Sequence, residues 1–151
     1  MGKYSNSKNE NGVSLRSLGQ AGFLIKGSGG QVLALDPYLS NCVERIAGFR
    51  RMQPAIMKPE ELQTDILLST HSHPDHLDVD LLPVLAAKPG VKFIGSPDCE
   101  DVYKAAGLDS SRYQIIREGE TIQSNGFQIR AIYADHGEQC PRALGFFIEI
   151  D

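Results

Sequence analysis

The stretch STHSHPDHLD, residues 69–78, constrains this chain most strongly, because ten positions contain three of its four histidines together with two aspartates. The compact apolar run TDILLST predicts a buried strand that delivers the chain directly into this cluster. A turn that only reverses the chain after a strand rarely contains several imidazoles and carboxylates. The alternative is a solvated turn capped by Asp75 or Asp78, which requires three histidines to lie together by accident.

The spacing within the cluster suits a metal site. Pro74 biases His73 toward an extended backbone, so His71 and His73, two positions apart, can point to the same side. Asp75 and His76 follow at the turn and can face a second, neighbouring position. Imidazole with carboxylate is a ligand set for borderline cations such as Zn²⁺, whereas a closed structural zinc site would use thiolates, which the cluster lacks.

The remaining pattern predicts layers of sheet and helix. Three consecutive antiparallel strands are expected early, and buried strands precede two helices, the first capped by Asp78 and extending through about Ala87. Asn125-Gly126 is a strong hairpin signal between two later strands. Residues 42–59 are irregular, and we expect a loop with at most one turn of helix. The alternation of strands and helices favours an α/β arrangement in which helices cover a sheet.

Composition narrows the classes of function. A chain of 151 residues is the size of one domain, and we expect residues 1–12 to be a disordered polar tail before a domain at 13–151. The net charge of −4 gives no electrostatic reason to expect nucleic acid or an anionic membrane as a partner. No apolar run approaches a membrane span and no secretory signal is visible, so we expect a cytoplasmic protein.

Three cysteines lie far apart in the sequence and form no CxxC pair. In a cytoplasmic protein they are expected to be reduced thiols with structural or incidental roles. Cys140 is the exception to watch, because it lies close to His136.

The histidine cluster fits the HxHxDH signature of the metallo-β-lactamase superfamily. SLGQAGFLIKGSGGQVLALDPYLS resembles the opening strands of that fold, and RIAGFRRMQPAI and VKFIGSPDC are similar to its L-ascorbate-6-phosphate lactonase branch. The resemblance implies an α/β (α+β) fold, a metallo-β-lactamase-like αββα sandwich. It covers nearly everything from Val13 onward, and this chain would be its first half, a mixed β-sheet with two or three helices.

The resemblance also implies a ligand set. His71, His73 and His136 would hold a first cation, and Asp75 and His76 a second. Two further aspartates lie beside this ligand set. Asp36 would support the site from behind the ligands, although a turn-forming Asp-Pro looks identical, and Asp78 is interpreted as a helix cap rather than a site contact.

The expected reaction is hydrolysis by a metal-bound hydroxide, most naturally of a lactone or related ester. Two cations about 3.5 to 4 Å apart hold and acidify a bridging water, which Asp75 could hold or deprotonate. Zinc is the ligand-based choice, with manganese or iron as alternatives. For a small-molecule substrate such as a phosphorylated lactone, the candidates to bind the phosphate are Arg45, Arg50 and Arg51. The alternative is that these arginines lie on a solvated loop.

Relatives in the family continue beyond the point that corresponds to Asp151 and supply a bridging aspartate and a final histidine. We therefore expect a domain truncated at its C-terminal end, with Asp75 and His76 alone at the second position and an apolar sheet surface that favours a homo-oligomer. One alternative to this hydrolase is a metal-binding protein or fragment without turnover. Another is a phosphodiesterase or nuclease of the same fold, which the negative net charge of the chain disfavours.

Overall fold

The computed structural model describes residues 12–150. The predicted disordered tail, residues 1–12, lies outside the described residues except for its last position. The described part contains two β-sheets, three short α-helices and two 3-10 turns.

The first sheet is mixed and has its six strands in sequence order. The first three strands pair antiparallel, as predicted, and the remaining strands continue the sheet in parallel. The strands are β1 (Ser14–Gly19), β2 (Gly22–Lys26), β3 (Val32–Leu35), β4 (Ile66–Ser69), β5 (Lys92–Gly95) and β6 (Tyr113–Ile115).

The second sheet is an antiparallel meander of three strands. Asn125 and Gly126 both have positive φ, +49° and +76°, at the turn between its first two strands, which confirms the predicted hairpin. The strands are β7 (Thr121–Ser124), β8 (Phe127–Tyr133) and β9 (Leu144–Ile150).

The helices are short, and α2 and α3 pack on one face of the first sheet. They are α1 (Cys42–Ala47), α2 (Leu81–Ala86) and α3 (Glu100–Ala105), with 3-10 turns at Pro59–Glu61 and Pro97–Cys99. Helix α1 is longer than the single turn expected, and α2 begins three residues later than its predicted cap. Within residues 12–150, no helix has the length and apolarity needed to span a membrane.

The two-residue period of the strands separates two cores. In β4 the side chains of Ile66 and Leu68 face the second sheet, whereas Leu67 between them faces the helices. The core between the sheets consists of Leu33, Ile66, Leu68, Ile94, Ile116, Ile122, Phe127, Ile129, Ala131 and Leu144. The layers are therefore helix, sheet and sheet.

On the second sheet, the exposed apolar side chains lie on the outer side. The inner face of the first sheet is covered by β7, β8 and β9. On the outer side, Ile132 and Phe147 are 38% and 53% exposed, and the guanidinium of Arg130 stacks over the Phe147 ring at 5.0 Å. This outer face is the part of the sandwich that no described element covers.

Candidate metal centre

The candidate centre lies at the carboxyl edge of the first sheet. Strands β3 and β4 are parallel neighbours, so their following residues leave the sheet at the same edge. The backbone N–H of Asp36 donates to Leu68 O at 2.9 Å, which fixes the turn after β3 against the end of β4. The histidine cluster begins immediately beyond this edge.

Four imidazoles converge at this edge. Nε2 of His71 lies 3.2 Å from Nδ1 of His73, and Nε2 of His136 lies 3.0 Å from the same Nδ1. The ring centroids of His76 and His136 lie 4.1 Å and 4.2 Å from that of His71. Two nitrogens that bind one tetrahedral zinc ion are about 3.3 Å apart. Each of the two contacts of His73 Nδ1 is therefore close to the spacing of two nitrogens that share a cation.

His136 reaches the cluster because β9 is attached to β4. The backbone N–H of Leu144, the first residue of β9, donates to Thr70 O at 3.0 Å. The loop between β8 and β9, which contains His136, is thereby brought over the end of β4. This long-range contact joins the motif to a residue more than sixty positions later.

Asp36 is the polar centre beneath the histidines. It is 3% exposed, and its carboxylate accepts hydrogen bonds from Thr70 N at 2.8 Å, Thr70 Oγ1 at 2.7 Å and His76 Nδ1 at 2.8 Å. Its φ of +44° is unusual for a residue other than glycine and is a form of strain that is concentrated at functional sites. Asp36 is thus more than a turn-forming residue before proline.

These hydrogen bonds determine which ring nitrogens face the centre. The Thr70 hydroxyl donates its single proton to Asp36, so at 2.9 Å it accepts from Nδ1–H of His71. Nδ1–H of His76 donates to the same carboxylate. In both rings the unprotonated Nε2 therefore remains available to a cation, an arrangement typical of metal-binding histidines.

The electrostatic surroundings of the two rings differ. Burial, together with the neighbouring His76 and His136 rings, lowers the pKa of His71 to about 4. Burial also opposes a charge on His76, but the hydrogen bond and charge of Asp36, with help from Asp75, raise the pKa of His76 above its ordinary value. In the metal-free protein, the imidazole of His71 therefore stays uncharged even at pH values well below 7, which is the form that binds a cation.

Asp75 lies at the open side of the cluster. Its side chain is 39% exposed, and its Oδ2 lies 3.9 Å from Nε2 of His76. This pair is the set of donors that the sequence assigns to the second position. Asp75 is the more accessible of the two and faces solvent.

Asp78 uses its carboxylate to connect loop and helix. It is 2% exposed and accepts from Leu39 N, Ser40 N and Ser40 Oγ at 2.6–2.9 Å, and from Asp80 N and Leu81 N at 3.1 and 3.2 Å. The bonds to Asp80 and Leu81 reach the start of α2, whose N-cap is Asp80 rather than the predicted Asp78. Asp78 supports the site indirectly, because its bonds to Leu39 and Ser40 fix the loop that follows Asp36.

The three candidate arginines lie in different environments. Arg45, on α1, is largely exposed and paired with Asp80. Arg51 stacks over the Tyr38 ring at 4.2 Å and donates to Tyr38 O at 2.7 Å. Arg50 and Arg51 line a cavity of about 490 Å³ together with Leu39 and Ser40. The structure thus separates Arg45 from the other two.

Two residues near the centre have roles that the sequence interpretation did not assign. Thr70 connects Asp36 to His71, and its position directly before the motif was the only signal. Cys140 is buried, and its Sγ forms a group with the nearest ring nitrogens of His71 and His73 in which all donor atoms lie within 4.8 Å of one another.

Comparisons with known proteins agree with this architecture. Residues 14–149 match the family model described as the beta-lactamase superfamily domain. The chain is 26% identical over 140 residues to "Probable L-ascorbate-6-phosphate lactonase UlaG" from Shigella boydii serotype 4, covering 78% of this chain and 40% of that protein, and equally to its counterpart from Escherichia coli O127:H6. The chain spans about 40% of the length of these curated relatives.

Solved structures share the fold at low sequence identity. An isothiocyanate hydrolase from Delia radicum gut bacteria has a TM-score of 0.67 at 18% identity, over 90% of this chain and 57% of that one. CmlA, a diiron beta-hydroxylase from Streptomyces venezuelae, has a TM-score of 0.67 at 17% identity, over 92% of this chain and 28% of that one. The family match, over nearly all of the described residues, places this chain in the beta-lactamase superfamily.

Proposed function

We propose that this chain contains the metal-binding part of a metal-dependent hydrolase that opens a lactone or a related ester. The observation that carries the proposal is the convergence of three ring nitrogens from His71, His73 and His136 at spacings of 3.0 and 3.2 Å. Membership of the superfamily supports hydrolytic chemistry, and the lactonase names of the curated relatives support the substrate class.

The residues present fit a divalent cation. Three imidazoles bind the first position, and the hydrogen bonds of Asp36 and Thr70 orient the rings of His71 and His76 toward the centre. Zinc suits this donor set best, and manganese or iron is also compatible with imidazole and carboxylate. A bound cation would supply Lewis acidity and lower the pKa of water near the substrate.

The protein side chains supply the other parts of the reaction. Asp75 is accessible and next to His76, so its carboxylate can orient a water molecule and accept its proton. A cavity of about 270 Å³ beside the centre is lined by residues 133–138 and Pro141, and His136 is among them. A small ester could approach the ring cluster from this side.

Arg51 is the strongest candidate to bind an anionic group of the substrate, with Arg50 beside it. Nε and Nη1 of Arg51 are buried without a hydrogen-bond partner among the described residues. Arg51 also lines the cavity of about 490 Å³, and the geometry of a guanidinium group matches the oxygens of a phosphate. Arg45 is a weaker candidate because Asp80 already pairs with it.

A metal-binding protein without turnover is the second candidate. It is favoured by the second position, for which the sequence supplies two donors, Asp75 and His76, whose nearest atoms are 3.9 Å apart. A phosphodiesterase or nuclease of the same fold is a further alternative, disfavoured by the net charge of −4. We further propose a cytoplasmic homo-oligomer that binds a small molecule rather than nucleic acid or membrane.

Metal content and turnover test the proposal together. The zinc-loaded chain should hydrolyse a sugar-phosphate lactone, and His73→Ala should remove both the activity and the zinc. One tightly bound ion with no turnover on lactones, esters or phosphodiesters would favour the non-catalytic alternative. Turnover of phosphodiesters alone would favour the nuclease class. The elution volume in size-exclusion chromatography tests the oligomer.

A further inference from the structure

We propose that the thiol of Cys140 is a ligand for the cation held by His71 and His73, and that it makes this position selective for thiophilic ions. The inference rests on the proposed metal site. It goes beyond that site by adding a ligand from outside the histidine motif, on the loop between β8 and β9.

The position of Cys140 is the first observation. Its sulfur and one ring nitrogen each of His71 and His73 lie within 4.8 Å of one another. In a tetrahedral zinc site a nitrogen and a sulfur ligand are about 3.5 Å apart. The three donors therefore need to approach one another by about 1.3 Å at most to share one ion.

The burial of Cys140 is the second observation. The side chain is 1% exposed, although residues 135–139 before it and 141–142 after it are all exposed. Its thiol has one weak polar contact, with Ser72 Oγ at 3.7 Å, and Ser72 lies between the two histidines. The loop thus turns this one side chain inward, toward the histidine pair.

Three contacts hold the loop in this position. Ala143 N donates to Cys140 O at 3.1 Å and closes a turn, and Leu144 N donates to Thr70 O at 3.0 Å. The backbone and side chain of Arg142 both bond to the carboxylate of Asp98 at 3.0 Å. Cys140 therefore lies on a fixed segment rather than at a freely moving loop tip.

A sulfur ligand at this site would change which metal ions bind there. A thiolate is a softer ligand than a carboxylate or water, and it favours zinc and cobalt over manganese. The thiol proton leaves to solvent when the metal–sulfur bond forms. A negatively charged thiolate also holds the cation more tightly than a neutral water ligand does.

Cobalt spectroscopy on the 151-residue chain tests this inference without an activity assay. Titration with Co²⁺ should produce visible ligand-field bands and a near-ultraviolet thiolate-to-cobalt charge-transfer band. Cys140→Ser should lose the charge-transfer band and keep the visible bands, because the histidines remain. The matched control is Cys42→Ser, another buried cysteine, which should keep both. The ratio of manganese to zinc dissociation constants should fall in Cys140→Ser.

The outcomes separate the inference from the proposed function. Visible bands without a charge-transfer band in the unmodified chain, or an unchanged charge-transfer band in Cys140→Ser, overturn the thiolate ligand and leave the histidine site standing. An absence of any cobalt spectrum overturns both. If Cys140→Ser does not fold, the charge-transfer band of the unmodified chain and of Cys140→Ala decides the question.

Discussion

Asp36 accepts a hydrogen bond from Nδ1 of His76 at 2.8 Å, across 40 positions of the sequence. The same carboxylate holds the backbone and hydroxyl of Thr70, which in turn orients His71. One buried aspartate at a strand end therefore aligns a histidine from each half of the motif.

Replacing this aspartate should weaken metal binding without removing a ligand. Asp36→Asn keeps the shape of the side chain but loses the charge that orients His76, so the zinc affinity should fall about 10–100-fold. Competition with a chromophoric chelator measures this affinity. The control is Asp135→Asn, an exposed residue whose carboxylate accepts a bond from Gly137 N. Equal affinities for Asp36→Asn and the unmodified chain would contradict the role given to Asp36.

Two histidine variants should separate the two proposed cation positions. Nδ1 of His73 is the nitrogen shared by the two short contacts, so His73→Ala should lose the tightly bound ion. His76→Ala should keep that ion and lose only weaker binding, because His76 pairs with Asp75 instead. Equilibrium dialysis followed by elemental analysis gives the ions per chain. Identical losses in both variants would mean that the four rings form one position.

The metal-free protein should lose stability as the pH falls from about 6.5 to about 4. The pKa of His71 is lowered from 6.5 to about 4 in the folded state, so the unfolded chain binds more protons in this window. His76, whose pKa is raised, acts in the opposite direction and stabilises the fold at low pH. Urea unfolding of the unmodified chain and of His71→Gln measures the effect. The variant should lose less stability across the window, and parallel pH profiles would exclude His71 as the cause.

The packing of the two sheets should contribute strongly to the free energy of unfolding, whereas the outer face of the second sheet should contribute little. Ile129→Ala, in the core between the sheets, should cost about 2–5 kcal/mol in the free energy of unfolding. Phe147→Ala, on the outer face, should cost about 1 kcal/mol or less. Chemical denaturation measures both. A small effect of Ile129→Ala would mean that the second sheet does not pack on the first in solution.

The sequence predicted the strands and the convergence of the histidines for identifiable reasons. Strand β4 is a continuous apolar run that ends at the histidine motif. Asn125-Gly126 specifies the turn between β7 and β8, because both residues readily adopt positive φ. The position of His136 came from the family resemblance rather than from its own surroundings in the sequence. The structure places it against His73 through the contact between Leu144 and Thr70.

The parts that sequence reasoning did not specify depend on long-range geometry. Nothing near Thr70 indicates that its hydroxyl lies between Asp36 and His71, because these bonds need β3 and β4 to be neighbours. The same holds for Cys140, whose inward orientation is set by contacts of Arg142 and Leu144 with residues far away in the sequence. The bond from Leu81 to the carboxylate of Asp78 is local, but the N-cap of α2 is Asp80 rather than the predicted Asp78.

Anomalous X-ray diffraction from crystals of the zinc-loaded chain, recorded at the zinc edge, shows whether three histidines share one ion. A strong peak is expected within about 2.0–2.1 Å of Nε2 of His71, Nδ1 of His73 and Nε2 of His136. A zinc peak bound elsewhere, with His136 turned away from the other two rings, would contradict this expectation.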